Sequence, residues 1–156
     1  MIIQLAKYST FGLFFIVLEI LFFKHLTIFG ASIDPLLLYI LWLVQKYDRL
    51  QLLIFASVFS LIQDAFLDLW GIMMFSKTLT LFLTYNFIRS RPESQLLLWQ
   101  IFLIILGTAT IHNIILLIVT NFIGTYAVNY SPLIITIGNS IYTAVIGLLI
   151  YIFKVR

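Results

Sequence analysis

From Leu96 to Ile123 the chain runs without a single Asp, Glu, Lys or Arg. A helix of that length on a soluble protein would show a charged face to water. The same unbroken apolar character recurs at about Tyr8 to Phe23, Pro35 to Val44, Leu50 to Phe66, Trp70 to Ile88 and Leu133 to Phe153. Continuous runs, rather than residue-by-residue alternation, are the pattern of membrane helices and not of a transmembrane β-barrel. Composition agrees: 63% of residues are hydrophobic and 10% charged, where soluble domains are about a quarter charged, and the mean hydropathy is +1.14. No stretch is polar enough to form a separate water-soluble domain. Residues 1–156 therefore read as a single integral membrane domain of the all-α class.

The second apolar run is the awkward one. Ten residues rise only about 15 Å as a helix, half of the roughly 30 Å hydrocarbon layer. The distribution of cations decides whether it counts as a crossing. With six crossings, Lys7, Lys46, Arg49, Arg89, Arg91, Lys154 and Arg156 fall on one side, leaving Lys24 and Lys77 elsewhere. With five, Lys7 is separated from the other six and the bias collapses. A six-transmembrane-helix bundle with a short second helix is the expectation, with both termini cytoplasmic. The preceding FKHLTIFGASID must then descend through the membrane as irregular backbone, buried in protein. Asp34 followed by Pro35 suits a helix start at that depth, Asp as N-cap and Pro as first helical residue. The N-terminal run lacks a small-residue cleavage site, so a retained helix is expected in place of a signal peptide. Tyr126 and Tyr130, in the uncharged connection GTYAVNYSP, suit the membrane interface.

Measured from the cytoplasmic anchors at 1.5 Å per residue, Asp64 lies about 21 Å up, and Lys77 and Glu19 about 18 Å, with His112 and Asn113 a little higher. Glu19, Gln63, Asp64, Asp68, Lys77, His112 and Asn113 thus form a candidate polar layer in the outer half of the bilayer. It is either a set of internal pairs or a ligand pocket open to the periplasmic side. An ionised group there is costly unless paired or wetted. The spacing predicts an Asp64 to Lys77 pair, Gln63 as its hydrogen-bonding neighbour and Asp68 reaching the outer interface. His112 and Asn113 are expected to make core hydrogen bonds. Phe11, Phe14, Phe15, Phe22 and Phe23 give the first helix a bulky face for a partner helix or for lipid. The cytoplasmic loop cations Lys46, Arg49, Arg89 and Arg91 are topology signals and candidate partner contacts.

Enzymatic chemistry finds little support in these residues. The chain has no cysteine, which excludes disulfides, thiol catalysis and cysteine metal sites. Asp64 and Asp68, on one helix turn, cannot share a proton as an aspartyl-protease pair does at about 3 Å. The sequence offers no Ser-His arrangement, no metal triad and no nucleotide-binding glycine motif. A non-enzyme without cofactor is the expectation, with no nucleic-acid partner.

The order of features carries a resemblance. IDPLLLYILWLV (33–44), a tight basic loop, then LIQDAFLDLWGIMMFSKTLTLFLTYNF (61–87), with its Gln-Asp helix end, glycine turn and Ser-Lys-Thr helix start, resembles the MreD family of rod shape-determining proteins. The resemblance covers about residues 33–91. It implies a non-enzymatic scaffold in the bacterial cytoplasmic (inner) membrane. Such a scaffold works with a single-pass MreC, and through it with MreB, RodA and a class B penicillin-binding protein, in lateral peptidoglycan synthesis and cell shape. The fold so implied is similar to the six-helix S components of energy-coupling-factor transporters. The alternative is therefore a substrate-binding subunit of a vitamin-type transporter. The first helix, YSTFGLFFIVLEILFF, lacks the small-residue face with which those components dock.

Overall fold

The computed structural model describes residues 2–23, 25–27, 30–92, 96–124 and 131–155, and for residues 2–7, 9, 154 and 155 it describes the backbone only. Six helices make up most of it: α1 (Ile2–Leu18), running on into a π-helical turn (Glu19–Phe23), α2 (Pro35–Leu43), α3 (Arg49–Leu67), α4 (Ile72–Arg89), α5 (Leu98–Ile123) and α6 (Pro132–Val155). No strand occurs among the described residues. Three helical stretches are long and apolar enough to cross a membrane: Arg49–Leu67, Leu98–Ile123 and Pro132–Phe153. This is the pattern of a multi-pass membrane protein.

α4 is less apolar because a polar row, Ser76, Thr80 and Thr84, runs along its buried face. Thr80 donates to Ser76 O at 2.7 Å and Thr84 to Thr80 O at 2.8 Å. Hydroxyls bonded back to their own helix in this way need no water.

The nine-residue α2 is the centre of the bundle. Leu36, Leu37, Ile40 and Leu43 are fully buried, and the helix touches α1, α3, α5 and α6. A helix apolar all round belongs inside. Asp34 starts it, accepting from Leu37 N–H at 2.8 Å, with Pro35 in the first turn. The backbone leading into it is irregular and packed against α6. Ser32 N–H donates to Asn139 Oδ1 at 2.8 Å and Asp34 N–H to Thr143 Oγ1 at 3.3 Å. Gly138 admits the close approach, since a Cβ there would stand 3.0 Å from that of Ala31. The Ser32 and Asp34 amides of this non-helical backbone are thereby satisfied by protein groups.

Interlocking bonds gather the start of α1, the end of α2, the start of α3 and the end of α4 at one end of the bundle. Tyr39 donates to Tyr8 O (2.7 Å), Gln45 to Ile88 O (3.0 Å), Tyr85 to Tyr47 O (3.0 Å) and Arg89 to Val44 O (2.9 Å). Lys46, Arg49, Arg89 and Arg91 all lie there. Lys24, Tyr126, Tyr130 and Arg156 fall outside the described residues, as do the side chains of Lys7 and Lys154. Outward faces of α3 to α6, such as Ile54, Val58 and Leu61 on α3 and Ile137, Ile141 and Val145 on α6, are exposed and apolar, as lipid contact requires.

The α3–α4 turn is built from left-handed backbone at Asp68 (φ 56°), Trp70 (φ 47°) and Gly71 (φ 89°). Glycine takes this conformation without a Cβ clash, and Asp tolerates it better than most residues.

Candidate functional site: a buried ionic chain across the bundle

Lys77 is a fully buried lysine. Its ammonium lies 2.9 Å from Asp34 Oδ1 and also donates to Gln63 Oε1. The Gln63 amide nitrogen in turn donates to Glu19 Oε1. Gln63 is thus oriented with its carbonyl toward the cation and its NH2 toward the carboxylate, the arrangement its dipole favours. The other Asp34 oxygen, Oδ2, is 3.3 Å from His112 Nε2. The remaining ring nitrogen, Nδ1, is 3.2 Å from Ser76 Oγ, which lies 3.1 Å from the His112 carbonyl as donor. One residue on, Asn113 donates to Ser140 Oγ at 3.0 Å, and Ser140 donates to Thr136 O at 2.8 Å.

The result is a continuous chain, Glu19–Gln63–Lys77–Asp34–His112–Ser76, that draws on α1, α3, α4, the start of α2 and α5. A buried charge is tolerated in such a place only when its partners are held in good geometry. Each helix supplies one or two members, so the helices cannot move past one another without breaking a charged contact. Glu19 opens the π-helical turn, a local widening of the kind that often marks functional positions. Its second oxygen, Oε2, is buried with no hydrogen-bond partner among the described residues.

The predicted Asp64 to Lys77 pair is not what the structure contains. Asp64 is buried, but Oδ1 accepts from Met73 N–H at 2.9 Å and Oδ2 from Met74 N–H at 2.8 Å. Those amides are unpaired at the start of α4 and partly positive. Asp64 closes its own hairpin, leaving Lys77, one turn further on, to meet Asp34. Asp68 does not belong to the buried layer: it is exposed at the left-handed end of α3. Glu19, Gln63, Lys77 and His112 do come together, and Asn113 lies beside them with its own partner.

Asp34 is the residue that sequence reasoning used only as a cap. Ten residues separate it from Val44 at the cationic end, a rise of about 15 Å. Applied to Asp34, the depth count used for Lys77 places both near one level. The sequence also offered no Ser-His arrangement, yet Ser76, His112 and Asp34 stand in series. They lie on three separate elements, so no spacing in the sequence announces them. Ser76 Oγ is fully buried.

The expected partner-helix face divides. Phe14 and Phe22 point outward, and Phe11 is exposed. Phe15 is half-buried and stacks on Tyr39 with ring centroids 5.0 Å apart; Phe23 is half-buried. Of the loop cations, Arg49 donates to Phe82 O at 2.9 Å and Arg89 to Val44 O, so both are engaged within the chain. Lys46 and Arg91 are exposed, set over the rings of Trp42 and Phe87. Compared with known proteins, the chain matches no family model, no curated protein and no solved structure.

Proposed function

We propose that the protein is a non-enzymatic, six-crossing scaffold of the bacterial cytoplasmic membrane, a component of the cell-elongation machinery of the kind the MreD resemblance implies. Its termini and cationic end face the cytoplasm. Its direct partner is a single-pass MreC-like protein, through which MreB, RodA and a class B penicillin-binding protein are reached.

One observation carries this reading. Gln63, Asp64, Ser76 and Lys77, within the stretch on which the resemblance rests, all turn their polar atoms into the protein. Residues used in this way make a rigid body; they leave its outer apolar helix faces as the surface available to a partner. Val17 on α1, with Leu21 and Phe22 on the π-helical turn that continues it, offers such a face. The series Ser76–His112–Asp34 fits structural use better than hydrolysis, because the hydroxyl is directed at the His112 carbonyl and Asp34 is already held by Lys77. A vitamin-type transporter subunit would need the charges of this layer for its ligand, whereas Lys77 and Asp34 neutralise each other.

The test is copurification of the full chain with the single-pass MreC-like protein of its own organism, in detergent. A stable complex is expected, together with loss of rod shape when the chain is depleted. Absence of the complex, with cell shape unchanged on depletion, would overturn the proposal.

A further inference from the structure

At the cationic end, away from the ionic chain, α1, α2, α5 and α6 line a half-open cavity of about 530 Å³. None of Glu19, Asp34, Gln63, Ser76, Lys77 or His112 lines it. Its interior is hydrocarbon: Phe11 and Phe15 from α1, Leu38 from α2, Ile104 and Ile105 from α5 and Ile150 from α6. At its mouth stand Lys46 and Arg91. The Lys46 ammonium is 3.5 Å from the centroid of the Trp42 ring and 3.1 Å from the Tyr8 hydroxyl. The Arg91 guanidinium is 4.2 Å from the centroid of Phe87. Among the described residues neither cation meets a carboxylate, the ion pairs there being those of Asp34. Gln45, which donates to both Ile88 O and Arg91 O, ties the segment bearing Arg91 beside the end of α2.

We propose that this cavity binds an anionic glycerophospholipid of the surrounding bilayer, with one acyl chain in the lumen and the phosphate between Lys46 and Arg91. Two features of the cavity call for an amphiphile: an apolar interior that no polar ligand satisfies, and two exposed cations at its entrance that pair with no carboxylate among the described residues. Its volume falls within the range of about 300–1,000 Å³ typical of ligand sites. That accommodates a single hydrocarbon chain but not several turns of a helix about 10–12 Å across. Tyr8, Trp42 and Tyr151 line it near the same cations, and aromatic rings with Lys and Arg mark the headgroup level of a membrane. The lipid would fill the space between α1 and the α5–α6 pair, which α2 alone spans on the protein side. This inference is independent of the scaffold proposal, since it is read from lipid binding with no partner protein present.

The test uses the full chain, purified and delipidated in detergent and followed by native mass spectrometry during titration. The probes are phosphatidylglycerol, phosphatidylcholine and glycerol phosphate. One phosphatidylglycerol per chain is expected to bind in preference to phosphatidylcholine, while glycerol phosphate, a headgroup without a chain, fails to compete. Removing each cation should weaken phosphatidylglycerol about fivefold, so that Lys46→Ala with Arg91→Ala brings it down to the phosphatidylcholine level. Ile104→Trp should block the lumen and abolish binding of both lipids. If that variant does not fold, the double variant at exposed positions decides alone. Equal binding of the two lipids overturns the proposal, as does indifference to loss of the two cations. Effective competition by glycerol phosphate, or retention of a second copy of the chain in place of lipid, overturns it too.

Discussion

The Lys77 ammonium, 2.9 Å from Asp34 Oδ1, pairs α4 with the N-cap residue of a helix that begins inside the bundle, and not with a carboxylate of its own hairpin partner α3. Asp34 therefore has two tasks, capping α2 through Leu37 N–H and neutralising Lys77. A half-length helix in a membrane leaves one terminus at depth, where its amides and the backbone before it have no water. The cation on α4, His112 on α5 and the acceptors Asn139 Oδ1 and Thr143 Oγ1 on α6 make that terminus tolerable.

The first prediction concerns this pair. Lys77→Met alone leaves Asp34 charged and largely buried with its main partner gone, a change expected to cost up to about 3–5 kcal/mol. Asp34→Asn keeps a capping oxygen, so the double variant Asp34→Asn with Lys77→Met should recover much of the loss. Unfolding in detergent, followed by size-exclusion chromatography, measures the cycle. Additive effects at the two positions would show that the pair is not coupled.

Asp64 should behave differently. Its carboxylate holds Met73 N–H and Met74 N–H, so Asp64→Ala should cost about 0.5–2 kcal/mol, the range for losing an N-terminal cap. Asp64→Ser, which retains an acceptor, should cost less. Reversing both Asp64 and Lys77 should bring no rescue. Recovery by that charge swap would restore the hairpin pairing that the geometry lacks.

Much of the architecture is legible in the sequence. The apolar runs coincide with the six helices, down to Pro35 at the start of α2, because run length and the Asp-Pro cap are local properties. The choice of partner for Lys77 is not local. Asp34 and Asp64 are both carboxylates at reachable depth, and what separates them is the pair of free amides that the turn at Gly71 brings to Asp64. The alignment of Ser76 with His112, and the cavity between α1 and α5–α6, arise from packing between distant segments. A space between helices leaves no residue pattern to read.

Gln63 provides a third prediction. Its amide joins Glu19 to Lys77, with its carbonyl accepting from the ammonium and its NH2 donating to a Glu19 carboxyl oxygen. Gln63→Leu strips a buried donor and acceptor from both neighbours and should cost about 1–3 kcal/mol. Gln63→Glu should be worse, since it replaces the NH2 that donates to Glu19 with an acceptor oxygen while adding only one contact to a cation that Asp34 already satisfies. The same chromatographic unfolding assay ranks the two variants. A milder effect for the glutamate would mean that Lys77, and not Glu19, dominates the site.

The turn at Asp68 offers a fourth. With φ at 56° and its side chain exposed, Asp68 contributes backbone conformation rather than charge to the layer. Asp68→Gly and Asp68→Asn should leave stability within about 0.5 kcal/mol. Asp68→Val, β-branched in a left-handed position, should cost about 1–2 kcal/mol. A loss for the asparagine as large as for the valine would instead assign the residue an electrostatic role.

The last prediction separates packing from partner binding on α1. Phe15 stacks on Tyr39 against the core, so Phe15→Ala should lower stability, by less than the roughly 3–5 kcal/mol of a fully buried phenylalanine because the ring is only half-buried. Phe14 and Phe22 face outward. Replacing both with alanine removes apolar area that the isolated chain does not bury, so unfolding should be nearly unchanged. If α1 presents the face to which a single-pass partner docks, the same double variant should reduce copurification several-fold. Undiminished copurification would move the interface off this face of α1, leaving the apolar sides of α3 to α6 as the remaining surface.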